Sequence, residues 1–278
     1  PPAKDFVPHT SSGSFFLHYI REFFTTFNLH FDFFQNCSGL SVQPRLGMLK
    51  QTAESVISLF FPRVCLACGN SLFKNEEILC FSCIYKLPMT NFHLEEDNAV
   101  ARQFWGKINF TSAASCYYFT KGSRVQHLVH QLKYKGYKEI GSHVGRLYGI
   151  ELLKSPYFSS VTSVIPVPLH PRKQAKRGYN QAEWFARGLA ESMKIDLDTV
   201  TLIRALASET QTRKSRFNRW ENVKEIFRVN DPGRQAGRHV LLVVDVITTA
   251  STVEAAGHEL YSIPGIRISV ASIACAVK

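Results

Sequence analysis

The sequence predicts an open α/β sheet with helices on both faces, preceded by a small cysteine-rich module. Residues 240–246 and 268–274 are apolar runs typical of central strands in a parallel sheet. Segments with a helical spacing of apolar residues alternate with strand-like runs through the C-terminal half, as they do in βα units. Four of the seven cysteines form two close pairs upstream of these units.

Length and composition already limit the class of protein. The chain of 278 residues is long enough for one large domain or two smaller ones. With 45% hydrophobic and 20% charged residues, it is not a wholly disordered, collagenous or fibrous protein. No apolar stretch approaches the roughly 20 residues needed to cross a bilayer. The net charge of +11 indicates a polyanionic partner: nucleic acid, phosphorylated metabolites or an anionic membrane.

Residues 1–47 differ from the rest of the chain in pattern and charge. They hold nine of the 21 phenylalanines without a clear helical or strand period, and three cations against three acids. We interpret this Phe-rich segment as translated upstream sequence or a fragment artefact, because Met48 is the first natural start and opens an amphipathic helical pattern. The alternative is a native extension that packs or anchors on a partner.

The four paired cysteines predict a metal module. Cys65 and Cys68 precede Gly69 in a C-x-x-C-G sequence, and Cys80 and Cys83 form a second pair after eleven intervening residues. Two such pairs can place four thiolates tetrahedrally around Zn²⁺, each at roughly 2.3 Å. Four sulfur ligands leave no open position, so we expect a structural zinc ion. Two disulfides or four free thiols are the alternatives, and the lack of a recognisable export signal favours zinc.

A polar stretch around residues 95–98 separates two predicted domains. We assign residues 48–100 to a helix and the zinc-ribbon module, and residues 101–278 to the α/β domain. The predicted strands of that domain are 113–119, 161–167, 240–246 and 268–274. The predicted helices carry Val125, Leu128, Val129 and Leu132, then Gly141, Gly145 and Gly149, then Phe185, Leu189 and Met193. Ligands of such sheets bind beyond the carboxyl ends of the strands.

The loop after the run 240–246 has the pattern of a phosphate site. Asp245 ends the strand, a turn rich in hydroxyl groups follows, and a helix begins within it. The hydroxyl residues are Thr248, Thr249, Ser251 and Thr252. Hydroxyl groups and free backbone N–H groups at a helix start can bind a phosphate, and a preceding carboxylate can accept hydrogen bonds from ribose hydroxyls. The simpler alternative is a capped helix after a buried strand.

Six sequence motifs occur in the order found in the ComF (competence protein F) family, which the chain resembles over roughly residues 56–278. They are Cys65-x-x-Cys68-Gly69 with Cys80-x-x-Cys83; Lys133-Tyr134-Lys135-Gly136; Pro166-Val167-Pro168-Leu169-His170-Pro171; Arg177-Gly178-Tyr179-Asn180-Gln181-Ala182-Glu183; Thr210-Gln211-Thr212 with Arg216, Arg219 and Asn222-Val223; and the loop after residue 244. That loop also resembles the phosphoribosyl-pyrophosphate (PRPP) loop of type I phosphoribosyltransferases.

The resemblance implies a zinc ribbon followed by a type I phosphoribosyltransferase-like domain. It implies a cytoplasmic protein of DNA uptake that handles single-stranded DNA with helicase and recombination-loading partners. The alternative function is an active, amidophosphoribosyltransferase-like enzyme that uses PRPP with Mg²⁺ and transfers phosphoribose to an unidentified acceptor. Asp245 would then be the catalytic acid on the ribose hydroxyls. The PRPP and phosphate-binding residues would be Asp245, Thr248, Thr249, Ala250, Ser251 and Thr252.

Two departures from the family pattern affect this loop. The first of two successive acids is replaced by Val244, and Ala250 stands where the family has glycine. Each hydrogen bond lost to a charged group would cost roughly 1.5–3 kcal/mol. If position 250 requires a left-handed backbone, alanine adds roughly 1–2 kcal/mol of strain. The sequence therefore predicts that PRPP with Mg²⁺ binds weakly or not at all.

Basic residues cluster at three places in the α/β domain. The candidates for contacts to pyrophosphate or nucleic acid are Lys133, Lys135, Arg172, Lys176, Arg177, Arg216 and Arg219. In an enzyme they would neutralise pyrophosphate as the C1 bond breaks. In a nucleic-acid-binding protein they would follow a strand backbone while Trp220, Phe217 or Tyr179 stacks on bases. A solvated basic face is the third interpretation.

Overall fold

The computed structural model describes residues 62–204 and 226–276. The segment 1–47 and the candidates Arg216, Arg219, Phe217 and Trp220 lie outside these ranges. The α-helices are α1 (Phe81–Lys86), α2 (Arg124–Tyr134), α3 (Glu139–Leu153), α4 (Pro171–Arg177), α5 (Gln181–Met193) and α6 (Ser251–Leu260). The 3₁₀ helices are Phe92–Leu94, Ala101–Phe104 and Pro232–Gln235.

The strands are β1 (Ser112–Tyr118), β2 (Ser163–Pro166), β3 (Asp196–Leu197), β4 (Leu202–Arg204), β5 (Phe227–Val229), β6 (His239–Ile247) and β7 (Arg267–Cys275). Five of them form a parallel sheet in the order β1-β7-β6-β2-β3, and β4 and β5 form a separate antiparallel pair. In the central register, Val240 lies beside Ile268 on one side and Ser163 on the other. The predicted α/β sheet is confirmed, and the three short strands β3, β4 and β5 were not predicted.

The strand order creates a crevice at one edge of the sheet. The chain leaves β2 toward β3 on one side, whereas it leaves β6 toward β7 on the other side. Connections that diverge from two adjacent parallel strands leave an open space beyond their carboxyl ends. The loops after β2 and β6, which contain the Pro-rich motif and the hydroxyl-rich turn, therefore meet at one place.

Glycines allow α3 and α5 to pack backbone against backbone. A Cβ atom built on Gly145 would lie 2.3 Å from the carbonyl oxygen of Phe185, and one built on Gly188 would lie 2.1 Å from that of Ser142. The buried rings of Tyr148 and Phe185 stack beside this contact, with centroids 6.4 Å apart. This contact explains why Gly141, Gly145 and Gly149 recur every four residues on α3.

The segment after α1 joins the cysteine module to the edge of the sheet. The N–H of Tyr118 donates to the carbonyl of Pro88, and the N–H of Thr90 donates to that of Cys116, both at 3.0 Å. The side-chain amide of buried Asn98 donates to the carbonyl of Ala113 at 2.8 Å. Residues 88–98 are therefore fixed along β1.

None of the helices in the described ranges has the length and hydrophobicity to span a bilayer.

A buried histidine at the start of β6 connects neighbouring segments. His239 is 2% exposed, and its Nδ1 and Nε2 atoms lie 2.8 Å from Ser160 Oγ and 2.9 Å from Ser269 Oγ. Burial, together with the charge of Arg267, lowers the pKa of His239 to about 4. The folded protein therefore keeps this imidazole neutral at neutral pH.

This histidine predicts an acid-sensitive stability. Because the folded pKa lies below the unfolded value, the unfolded chain binds more protons, and the free energy of unfolding falls as the pH falls from about 6.5 to about 4. Between pH 7 and pH 4.5 we expect His239 to account for a loss of about 2 to 3 kcal/mol. Urea unfolding of the wild type and of His239→Gln at both pH values measures it. Equal losses in the two proteins would contradict the assignment.

Candidate functional site at the carboxyl edge and the cysteine cluster

The turn between β6 and α6 presents hydroxyl groups at a helix start. Thr248, Thr249, Ser251 and Thr252 are all exposed, and the Thr249 and Ser251 hydroxyl oxygens lie 3.2 Å apart. Ala250 precedes the helix and has no side-chain acceptor to cap it. The backbone N–H groups of a first helical turn have no partner within the helix and carry the positive end of its dipole. An anion placed here would meet N–H and O–H donors together.

Asp245 and Lys133 form an ion pair beside this turn. Lys133 Nζ lies 2.9 Å from Asp245 Oδ2, and the N–H of Val246 donates to Asp245 Oδ1 at 2.7 Å. The Lys133 and Asp245 side chains are 21% and 24% exposed. Lys133 comes from the end of α2, so α2 reaches the carboxyl edge of the sheet. A ligand whose hydroxyl groups bind Asp245 has to compete with this ammonium group.

The structure explains the two departures in the loop separately. Val244 is 6% exposed and belongs to the core, in register with Ser272 of β7. Asp245 points to the opposite face, because side chains alternate along a strand. Ala250 has φ −67° and ψ −20°, which is right-handed backbone. The strain considered for a left-handed residue 250 therefore does not arise. The first of the two carboxylates, in contrast, is replaced by a valine that packs in the core.

The predicted basic residues in the described ranges fall into two groups at this edge. Lys135 is exposed immediately after α2, next to the paired Lys133. Arg172 and Lys176 are exposed on α4, and all seven residues of that helix are at least partly exposed. The Arg177 guanidinium carbon lies 5.4 Å from the Tyr134 ring centroid, which brings the end of α4 next to the end of α2.

Two aromatic residues at the edge were missed by the sequence reasoning. Tyr134 is 60% exposed and Tyr137 is 44% exposed, and both lie where α2 ends. The proposed stacking residue Tyr179 is less available, because it is only partly exposed and its hydroxyl donates to the carbonyl of Leu132. The alternation of lysines and tyrosines over residues 133–138 is the signal that would have identified the two exposed rings.

The four paired cysteines come together as predicted. Their Sγ atoms all lie within 4.8 Å of one another, and those of Cys68 and Cys80 are 3.7 Å apart. A tetrahedron with metal–sulfur distances near 2.3 Å has edges of about 3.8 Å. Cys65, Cys80 and Cys83 are buried and Cys68 is partly buried. The cluster therefore fits a structural metal ion with four sulfur ligands.

Backbone donors favour the thiolate form of Cys65. The N–H of Cys80 points to the Cys65 sulfur at 3.3 Å. Burial alone would raise the pKa of the Cys65 thiol, but this bond and those from Ala67 and Cys68 lower it to about 7. Gly69, at φ +79°, makes the tight turn in which its N–H donates to the Cys65 carbonyl at 2.8 Å. Ligation by metal requires deprotonated sulfur, and the backbone donors to the Cys65 sulfur favour that state at Cys65.

Comparison with known proteins was made by sequence and by structure. No family model matches the chain. DNA utilization protein YhgH of Shigella flexneri is 29% identical over 194 residues, which cover 68% of this chain and 80% of that protein. The protein of the same name from Salmonella typhimurium is 36% identical over 129 residues, 45% of this chain and 56% of that protein. Competence protein F of Haemophilus influenzae is 36% identical over 91 residues, 32% of this chain and 40% of that protein.

Solved phosphoribosyltransferases match about half of the chain. Glutamine PRPP amidotransferase from B. subtilis has 18% identity and a TM-score of 0.36, over 51% of this chain and 30% of that chain. Adenine phosphoribosyltransferase from Saccharomyces cerevisiae has 13% identity and a TM-score of 0.31, over 50% of this chain and 69% of that chain.

The parallel sheet, the loop after β6 and the cysteine cluster define a four-cysteine module joined to an open α/β domain with a parallel sheet. The predicted resemblance to the ComF family is confirmed, since homologues of this chain are named DNA utilization protein YhgH and Competence protein F.

Proposed function

We propose that this protein is a phosphoribosyltransferase-like protein of DNA utilisation that binds single-stranded DNA at the carboxyl edge of its sheet. The names of its homologues support a role with DNA. The proposal includes a structural zinc ion bound by Cys65, Cys68, Cys80 and Cys83. Zinc is favoured over other metals because four cysteine sulfurs are its usual structural ligand set.

One observation supports this function best: exposed aromatic rings and cations lie at the end of α2 and along α4, and Arg177 contacts Tyr134 between them. We call this surface the basic rim. It consists of Tyr134, Lys135, Tyr137, Arg172, Lys176 and Arg177. Single strands are bound without sequence preference by cations that follow the phosphates and by aromatic rings that stack on bases. The rim offers both, next to the helix start that favours phosphate.

An active PRPP-dependent enzyme is the second candidate, and the turn before α6 favours it. In that case Thr248, Thr249, Ser251 and Thr252 would hold the 5′-phosphate and Asp245 the ribose hydroxyls. Mg²⁺ bound with PRPP would supply charge neutralisation for the leaving pyrophosphate. We rank this function second because Val244 leaves one carboxylate instead of two, and Lys133 already pairs with it.

The test titrates the full chain with a labelled single-stranded oligodeoxythymidine at two salt concentrations, and with PRPP plus Mg²⁺ by calorimetry. We expect DNA binding that weakens steeply with salt, and no PRPP binding at micromolar concentration. Arg172→Ala with Lys176→Ala should lower the slope of log affinity against log salt by about 1.4, which is about 0.7 for each lost phosphate contact.

The matched control removes two exposed lysines elsewhere, Lys107 and Lys154, which precede the amino ends of β1 and β2. It changes the net charge equally and should leave the salt slope nearly unchanged. Equal effects of the two double variants would reject the rim as the DNA surface. Micromolar PRPP affinity without DNA binding would reject the proposed function and favour the second candidate.

A further inference from the structure

The cysteine module exposes three large aromatic side chains. Phe73 is 76% exposed, Phe81 is 62% exposed and Tyr85 is 89% exposed. We call these three residues the aromatic patch. Rings of this size are usually buried, and their transfer from water is strongly favourable. Several exposed rings on one small module therefore indicate a binding surface.

A buried carboxylate fixes the backbone that carries the patch. Glu76 is 4% exposed, and its two carboxylate oxygens accept hydrogen bonds from the N–H groups of Phe73 at 2.7 Å and Phe81 at 2.6 Å. The two backbones therefore lie at one carboxylate although they come from different segments. Because both of its oxygens accept these hydrogen bonds, Glu76 holds the backbone at Phe73 and the backbone at Phe81 in fixed positions.

The metal cluster supports the other part of the patch. Phe81 and Tyr85 are one turn apart on α1, so they lie on the same side of that helix. Cys80 immediately precedes α1, and Cys83 lies within it between the two aromatic residues. The cluster that closes the module thus also sets the position of α1. An aromatic surface with a fixed backbone loses little conformational entropy when it binds a partner.

The exposed charged side chains of the module indicate what the partner is. Residues 62–87 carry three exposed cations, Arg63, Lys74 and Lys86, and one exposed acid, Glu77. The cores of protein–protein interfaces are depleted of charged residues, lysine and glutamate above all. Aromatic rings interspersed with cations are instead the composition of surfaces that stack bases and neutralise phosphates.

We propose that the aromatic patch is a second platform for single-stranded DNA, separate from the basic rim, on which Phe73, Phe81 and Tyr85 stack against bases. Arg63, Lys74 and Lys86 neutralise the neighbouring phosphates. This inference rests on the proposed function, because it assumes that the protein binds single strands. In this proposal the cysteine module contacts single-stranded DNA directly, in addition to its structural role.

The experiment compares the wild type with a double variant of the full chain that carries both Phe81→Ala and Tyr85→Ala. Binding of the same labelled oligodeoxythymidine is measured by anisotropy as a function of salt. We expect the affinity to fall about tenfold or more, with an unchanged salt slope, because stacking rather than phosphate contact is lost. Metal content and thermal unfolding are measured on both proteins and should agree, since both side chains are exposed.

Two further variants make the result specific. Trp105→Ala removes a ring that is 62% exposed outside the module, and it should leave DNA affinity unchanged. Lys74→Ala with Lys86→Ala should lower the salt slope by about 1.4. If the patch variant binds DNA like the wild type while the rim variant of Arg172 and Lys176 loses affinity, the second platform is rejected and the proposed function stands. If the wild type does not bind single strands, the proposed function itself fails.

Discussion

Replacing Cys80 by serine is expected to abolish metal binding and to unfold the cysteine module. The cluster joins two segments that contribute two sulfurs each, and the short α1 begins directly after Cys80. In zinc-finger peptides, structural zinc contributes about 10–16 kcal/mol of binding free energy, which becomes folding free energy. We expect metal stoichiometry to fall from about one ion per chain to about zero. Atomic emission spectrometry measures the metal, and limited proteolysis detects opening of residues 65–87.

Cys116→Ala is the matched control for this prediction. Cys116 is a buried thiol of β1 that lies outside the cluster, and its pKa is raised by burial. Its replacement should keep one metal ion per chain and should leave the module resistant to protease, with a modest loss of stability in the sheet. Retention of stoichiometric metal by Cys80→Ser would overturn the assignment of the four cysteines as ligands.

Gly188→Ala is expected to cause a large loss of stability without touching either candidate site. A methyl group there would lie 2.1 Å from the carbonyl oxygen of Ser142 and 2.8 Å from the amide nitrogen of Arg146. Both are backbone atoms of α3, so a side-chain rotation cannot relieve the overlap, and the two helices have to separate. Overpacking of a core typically costs about 1–3 kcal/mol, and a backbone clash belongs at or above the upper end.

For a chain of this size, about 3 kcal/mol corresponds to a fall of roughly 6–12 °C in melting temperature. The control is Gly233→Ala, where the nearest atom to the new Cβ is Asp231 Oδ1 at 3.7 Å. That surface substitution should change the free energy of unfolding by less than about 0.5 kcal/mol. Equal melting temperatures for the two variants would show that α3 and α5 are not in backbone contact.

The strands and the cysteine cluster could be predicted because their signals are local. The predicted runs 240–246 and 268–274 each lie within the observed β6 and β7, which extend one residue further at either end. A buried strand is a continuous apolar segment, and a C-x-x-C pair fixes two ligands by spacing alone. The short strands β3 and β5 have too few residues for a periodic pattern, so their pairing depends on their neighbours.

The candidate site was only partly predictable for a related reason. The acid and the hydroxyl residues lie within one short stretch from Asp245 to Thr252, and a helix start after a strand is a sequence pattern. The exposure of Tyr134 and Tyr137 depends on where α2 ends relative to α4, which no local pattern states. The exposure of Phe73, Phe81 and Tyr85 likewise appears only when the module is folded, because phenylalanine in a sequence predicts burial.

The amino-acid sequence by itself determined the α/β class, the cysteine cluster and the hydroxyl-rich turn after a central strand. The tertiary structure alone decided that Lys133 neutralises Asp245, that Val244 belongs to the core and that Ala250 has right-handed backbone. The physical reason is the separation along the chain between the residues that interact. Spacing along the chain encodes hydrogen bonds and ligands within one element, whereas ion pairs and burial depend on which distant segments the folded sheet brings together.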